Sequence, residues 1–360
     1  MREPQEQRKP TWKRVVKVVV IVLIVLLLVV LAAASVVFIY LDRMIDKMNY
    51  VTGDSTVSPE VASSIDEEEW ITIDPNDTTP TIDVSDIVLP TEPTAPADQG
   101  DHIVNILLVG QDARPGEPPQ RSDSMILVTF NKSTGEIMLT SFMRDQYVNI
   151  PGYGRTKLCH AYSYGGMTLL NETISNHYGV EIDGNVTIGL EGFKDIIDML
   201  GGVELYLTEK ETRAINAVSD GTWAVEMRDG VQRLNGVQAL RFSRLRHIDS
   251  DFQRTERQRR VILALIEAYK DKTLPEMMAI LEEIMPLITT NIPKDMIYWY
   301  AWTLFPMLSN STVGSQRLPA SGTFKAGLIK VSEGYMASCQ YNIDFEANRR
   351  ILEKLFDEIP

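Results

Sequence analysis

At 360 residues with 44% hydrophobic side chains, the chain can build one large domain plus accessory segments. Two cysteines are too few for a disulfide scaffold and carry no metal-ligand spacing, so a cysteine-held metal is excluded. The formal net charge of −14 excludes a generally basic surface; 13 Asp and Glu fall between Met48 and Asp101 with no Lys or Arg, and removing those 13 leaves −1 for everything else.

The acidity therefore belongs to one stretch, and the remainder is near neutral with its own clusters of arginine. That balance gives no general electrostatic footprint for DNA or RNA, and no nucleic-acid partner is expected. Cys159 and Cys339 could form one bridge in an oxidising compartment, but two free thiols is the favoured reading.

From Val18 to Leu41 the chain carries 24 uncharged residues, nearly all Val, Leu, Ile and Ala. As a helix they span roughly 36 Å, enough for a hydrocarbon core of about 30 Å. Arg2, Arg8, Lys9, Lys13, Arg14 and Lys17 precede the run, whereas only Arg43 and Lys47 follow it closely, mixed with Asp42 and Asp46. The positive-inside bias predicts a basic cytoplasmic tail over 1–17, a transmembrane helix over 18–41 and the rest of the chain outside the cell membrane. A cleaved secretory signal is the alternative, and Ala32-Ala33-Ala34 offers small residues for it. The apolar run continues past them through Phe38, Ile39 and Tyr40, which favours an uncleaved anchor.

Residues 42–101 read as an acidic linker, rich in Thr, Pro, Asp and Glu, with a solid acidic run at Asp66–Glu69. Such a composition buries too little surface to offset its ordering entropy, and disorder is predicted, with Trp70–Ile73 as a segment that could pair with the domain. The composition changes near residue 102, where the extracellular domain, 102–360, is expected to start. Ile103–Leu108, Ser124–Phe130 and Glu136–Phe142 read as strands, with a hairpin turn at Thr134-Gly135. Helical periodicity follows at Met167–His177, Glu191–Leu200, Gly236–Ser243, Thr255–Tyr269, Leu274–Met285 and Lys294–Met307. Short strands are predicted at Asn185–Gly189 and Val203–Leu207, then a hairpin around Lys325–Gln340 and a helix over Asp344–Glu358. The mixture, without a clean βαβ repeat, predicts an α/β or α+β three-layer fold.

Charged residues cluster where strands end. Gln111-Asp112-Ala113-Arg114 follows the first strand, Arg121-Ser122-Asp123 precedes the second, and Met143-Arg144-Asp145 follows the third. Lys157, Arg244, Arg246, Arg254 and Gln258 come later. Paired carboxylates suit a hydrated divalent cation that also binds phosphate oxygens, the behaviour of Mg²⁺, and guanidinium groups match phosphate oxygens bidentately. Each motif alone is an ordinary charged turn. No phosphate loop or nucleophile elbow occurs, and His102, His160, His177 and His247 are poor raw material for a zinc site. His160 reads as a structural hydrogen-bonding residue, with orientation of a substrate hydroxyl as the second reading.

The strings NILLVGQDAR (Asn105–Arg114), RSDSMILV (Arg121–Val128), SFMRD (Ser141–Asp145), PGYGRTKLCHAY (Pro151–Tyr162), GLEGF (Gly189–Phe193), GGVEL (Gly201–Leu205), LNGVQALRFSRLR (Leu234–Arg246) and DFQRTERQR (Asp251–Arg259) stand in order along the chain. Together they closely resemble the LytR-CpsA-Psr family of cell-wall glycopolymer transferases. The resemblance implies an α/β/α sandwich with a mixed central sheet that binds a polyprenyl (pyro)phosphate, its tail in an apolar pocket. It also implies transfer of a glycan-1-phosphate from undecaprenyl pyrophosphate to a peptidoglycan hydroxyl. By the same resemblance Asp112 and Asp123 are the Mg²⁺ carboxylates (Mn²⁺ being the substitute), and Arg121, Arg144, Arg244, Arg246 and Arg254 bind the pyrophosphate. Lys157 and Gln258 make further head-group contacts, while Arg114 and Asp145 fall in family motifs without a set role. Asp112, Asp123 or a metal-bound hydroxide stay open as the base. The chain departs from the family pattern at Met143, where proline is usual, and at Cys159, where a polar residue is common. A polyprenyl pyrophosphatase and a non-catalytic lipid-binding regulator are the alternatives.

Overall fold

The computed structural model describes residues 38–51, parts of 56–90, then 93–111, 121–217, 223–245, 251–270, 272–332 and 335–356, with isolated residues between. The chain divides into two units, 1–47 and 48–360. Of the first, residues 38–45 are helical. Most of the apolar run 18–41 lies outside the described residues, and among those described no helix is long and apolar enough to cross a membrane.

In chain order the second unit contains strands Asn49–Tyr50 (β1), Ile71–Thr72 (β2), Thr81–Asp83 (β3), Ile103–Gln111 (β4), Ser122–Asn131 (β5), Glu136–Phe142 (β6), Tyr147–Ile150 (β7) and Gly154–Lys157 (β8). Helix Leu158–Tyr178 (α1), strand Gly184–Gly189 (β9), helix Leu190–Met199 (α2), strand Val203–Leu207 (β10) and helix Glu209–Asn216 (α3) follow. Then come Gly230–Leu234 (β11), Gly236–Ser243 (α4), Asp251–Lys270 (α5), Leu274–Ile284 (α6), Ile288–Thr290 (β12) and Lys294–Asn310 (α7). Val313–Leu318 (β13), Lys325–Ser332 (β14), Tyr335–Tyr341 (β15) and Phe345–Glu353 (α8) complete it.

The main sheet has seven strands in the order β1-β12-β9-β4-β5-β6-β13. It is mixed: β4 pairs antiparallel with β5 and parallel with β9, and β6 pairs parallel with β13. Strand β4 is nearly all apolar because both of its faces are covered. On one face Leu107, Met125, Leu127 and Phe142 pack with Leu170 and Ile174 of α1 and Leu352 of α8. On the other, Ile126, Val128, Ile137 and Leu139 meet Ile262 and Leu263 of α5, and Val104 and Ile106 meet Leu304 of α7. Alternation along β5 sends 125 and 127 one way and 126 and 128 the other, the two-residue period of a strand. Helices on both faces of a mixed sheet are the layered α/β arrangement expected.

A polar residue near the start of β4 is accommodated by its partners. Asn105 is fully buried; its Nδ2 donates to Gln99 Oε1 (2.5 Å) and Glu181 O (3.0 Å), and its Oδ1 accepts from Thr129 Oγ1 (2.6 Å). This first residue of the NILLVG string thus has a structural task, since a buried amide left unpaired would be costly.

The acidic stretch departs from the disorder expected of it wherever it is described. It supplies β1 to the edge of the main sheet, and β2 and β3 to a four-stranded sheet with β14 and β15. Ile87 and Leu89 are buried in the main core. Apolar residues spaced through an acidic background suffice to pin the segment, and composition averages them away. Helix α1 begins nine residues before the predicted Met167 start and is broken internally at Gly165 and Gly166, where Gly166 has φ +57. That interruption hides the 3.6-residue period of its first turns from a sequence reading. Cys159 and Cys339 are both buried and form no disulfide.

Candidate functional site

Strands β4, β5 and β9 run side by side, and helices α2, α4 and α5 cover them. Between sheet and helices lies a cavity of about 120 Å³. Its wall is apolar along Leu108, Ile126, Val186, Ile188, Phe193, Leu240 and Ile262, while Asp123, Arg244 and Gln258 bring charge and hydrogen-bonding capacity to it.

Local sequence explains how each helix arrives there. Asn235 caps α4, its side chain accepting from Gln238 N (2.9 Å) while Gln238 returns a bond to the Asn235 amide. The next residue, Gly236, presses against α2 so closely that a Cβ would sit 2.3 Å from the Lys194 carbonyl oxygen, and its N–H donates to Asp198 Oδ1 (2.7 Å). Only glycine allows that approach. Helix α4 is fixed at its start, and Arg244 is delivered at its C-terminal end, where its N–H bonds Arg241 O (3.1 Å). On α5, Arg254, Gln258 and Ile262 lie at four-residue intervals on one face, so polar and apolar positions follow one another along the cavity.

Behind Asp123 stands a network of charge. Arg144 Nη1 bonds Asp123 Oδ1, and Arg144 Nε lies 3.3 Å from Asp145 Oδ1. Lys157 Nζ is 3.3 Å from the same Asp145 oxygen. Arg144 and Lys157 are buried, while Asp123 keeps 27% of its side chain exposed. The start of α1 locks this corner: Cys159 N donates to Arg144 O (3.2 Å) and Leu158 N to Gln146 O (2.8 Å). Gln146 Nε2 donates to Met143 O (2.9 Å), so the turn carrying Met143 in place of proline is held by side-chain bonding.

Arg254 is 2% exposed and its Nη2 lies 2.6 Å from Asp251 Oδ1. Arg121 sits half-buried immediately before β5. The structure thus gathers Asp123, Arg144, Asp145 and Lys157 in one network, and Asp123, Arg244 and Gln258 on one cavity, with Arg254 a turn away on α5. Asp112, Arg114 and Arg246 lie outside the described residues. Among the described residues no group of three or more His, Cys, Asp and Glu could hold a metal. His160 is buried with Nδ1 3.0 Å from Thr156 Oγ1, in keeping with its structural reading.

Two features escape a sequence reading. Leu190 and Phe193 of the GLEGF string are cavity wall; their helical spacing is visible, but not what they face. Arg257 is fully buried, with Nε 2.9 Å from Glu211 Oε1 and Nη1 3.0 Å from Leu245 O. Glu211 also caps α3 with Thr208 and takes Arg260 at 3.3 Å. Burial alone would raise the Glu211 carboxyl, yet the Thr208 N–H and the two guanidinium groups outweigh it and hold it below its ordinary value. Among the four arginines of α5, nothing in the spacing marks Arg257 as the one held by both Glu211 and the Leu245 carbonyl.

An apolar cavity edged by guanidinium and carboxylate groups suits a ligand with an apolar tail and an anionic head. The LytR_cpsA_psr family profile matches residues 55–344, and the chain belongs to that family. It is 34% identical over 218 residues to the polyisoprenyl-teichoic acid–peptidoglycan teichoic acid transferase TagT of Bacillus subtilis, covering 59% of this chain and 66% of that protein. To the corresponding TagU transferase of Oceanobacillus iheyensis it is 36% identical over 202 residues, covering 54% of this chain and 59% of that one. The chain therefore spans just under two thirds of the curated relatives it matches. Among solved structures, TagT bound to LIIa-WTA superposes with a TM-score of 0.59 at 25% identity, over 77% of this chain and 99% of that one. TagT with bound octaprenyl pyrophosphate lipid gives 0.55 at 26% identity, over 75% and 99%.

Proposed function

We propose that this chain is a membrane-anchored phosphotransferase that moves a glycan-1-phosphate from a polyprenyl-pyrophosphate carrier to a peptidoglycan sugar hydroxyl. The glycan is a teichoic acid or a similar wall polymer, and the domain works on the outer side of the cell membrane. One observation carries the reading: Asp123, Arg244 and Gln258 edge the same apolar cavity, with Arg144, Asp145 and Lys157 clustered at Asp123. The named substrates of TagT and TagU and the lipid bound to TagT support it.

The tail enters the cavity and the diphosphate meets the arginines. Arg244 and Arg254, together with Arg121 and Arg246, neutralise its oxygens; Arg144 and Lys157 hold the carboxylates in register. Fixed charge of this kind stabilises the phosphoryl-transfer transition state without reorganising as the reaction proceeds. The acceptor hydroxyl oxygen forms a bond to the glycan-side phosphorus, and the bond from that phosphorus to the bridging oxygen breaks. Polyprenyl phosphate leaves as an anion needing no proton, while the hydroxyl proton passes to a carboxylate, Asp112 or Asp123. Mg²⁺ held by those two aspartates would add positive charge at the diphosphate.

The test incubates the membrane-reconstituted full chain with a polyprenyl-pyrophosphate-linked glycan, Mg²⁺ and peptidoglycan oligomers. Glycan attached to the oligomers is the expected product. Release of free glycan-1-phosphate would make the protein a pyrophosphatase, and binding without turnover would make it a regulator.

A further inference from the structure

The cavity takes only the first part of a long lipid. At about 120 Å³ it is small beside a long polyprenyl chain, so the chain must continue beyond it. Leu108 and Val186 belong both to the cavity wall and to the cluster beneath α7, where they join Met296, Ile297 and Tyr300. The cavity and α7 thus share an apolar wall.

The outer side of α7 is unusual for a soluble surface. Trp302 is 84% exposed and Trp299 40%, and Lys132 places its ammonium 4.4 Å from the Trp299 ring centroid. Indoles beside a cation are the chemistry of the membrane–water interface, where the ring sits among head groups and the ammonium meets their phosphates. The covalent tether is short. Strand β1 pairs with β12 through Asn49 and Tyr50, Asn49 Nδ2 donates to Pro286 O (2.9 Å), and α7 starts four residues after β12. Only residues 42–48 separate the apolar run from β1, a span of no more than about 30 Å.

We infer that the Trp299–Trp302 face of α7 docks on the phospholipid head-group layer, so that the lipid tail passes between bilayer and cavity without crossing water. The inference rests on the membrane-anchored reading above and adds the surface and its partner.

The full chain carrying Trp12→Phe, which silences the indole beside the apolar run, is reconstituted in phosphatidylcholine–phosphatidylglycerol vesicles with brominated acyl chains. Bromolipid should quench its tryptophan emission, and Trp299→Gln with Trp302→Gln should remove at least about half of the quenched intensity. Trp302→Gln alone reaches no core contact, so its smaller loss in the same direction separates docking from misfolding. The same substitutions should slow transfer from a long-chain lipid substrate in vesicles by roughly fivefold or more and leave transfer from a short-chain, water-soluble one unchanged. A chain that stays in the vesicles with unquenched Trp302 overturns the docking surface alone. Quenching by soluble peptidoglycan oligomers in place of bromolipid overturns it in favour of a glycan platform. Extraction of the chain by alkaline wash would remove the anchored reading and this surface with it.

Discussion

Arg257 donates from Nη1 to the carbonyl oxygen of Leu245 at 3.0 Å, which puts a fully buried cation directly behind the backbone between Arg244 and Arg246 in the chain. Its other end is held by Glu211 at 2.9 Å, so the turn after α4 that carries Arg244 is tied through α5 to the cap of α3. Arg257 is a positioning residue. Arg257→Lys keeps the charge but loses the fork that reaches both partners. Transfer should fall by about tenfold with the loss in kcat larger than the change in KM, while far-ultraviolet circular dichroism stays native. Steady-state kinetics check the split.

Removing the partner carboxylate should act on stability first. Glu211→Ala leaves Arg257 buried without its counter-charge and is expected to cost about 3–5 kcal/mol, measured by denaturant unfolding. Glu211→Gln, which retains a hydrogen-bond acceptor, should cost less.

The same carboxyl sets a pH dependence. Its folded-state pKa lies below the ordinary 4.5, so the stability it contributes is present above that value and is lost as pH falls through the lower, folded-state pKa. Thermal unfolding followed from pH 6 downward should show a fall in midpoint that begins below about 4.5 and is shallower in Glu211→Gln.

At the charge network, Arg144→Ala removes the group bonded to Asp123 and 3.3 Å from Asp145. Loss of one fixed charge at a phosphoryl-transfer site is expected to reduce turnover by about 10²-fold or more. A near-wild-type rate would remove Arg144 from the machinery.

The cavity gives a separate handle. Leu190 lines it from the first turn of α2, and Leu190→Trp should fill it. Retention of a long-chain polyprenyl phosphate is expected to weaken by at least about tenfold, while binding of inorganic pyrophosphate stays unchanged; calorimetry with both ligands separates tail from head.

Much of this was legible beforehand for physical reasons. The strands of the main sheet's centre are long apolar runs ended by charged turns, and helices such as α4 carry a capping box and a glycine at their start, so pattern and structure coincide. Short edge elements were not legible: β1, β2 and β12 have two or three residues each and owe their form to their neighbours. The same limit applies to the site. Charge at strand ends marks Asp123 and Arg144 as a candidate cluster, but which arginine of Arg254, Arg257, Arg259 and Arg260 faces substrate and which faces a carboxylate depends on the tertiary rotation of α5. Arg257 meets Glu211, and Arg259 donates to Ser141 Oγ at 2.9 Å.

The most direct measurement follows the two phosphorus atoms of the carrier separately. With the glycan-side phosphorus labelled, the reconstituted chain should place the label in peptidoglycan as a phosphodiester; with the lipid-side phosphorus labelled, it should leave all label on polyprenyl phosphate. Glycan-side label recovered as free glycan-1-phosphate, or retained on the lipid after the glycan has moved, would contradict attack of the acceptor hydroxyl at that phosphorus.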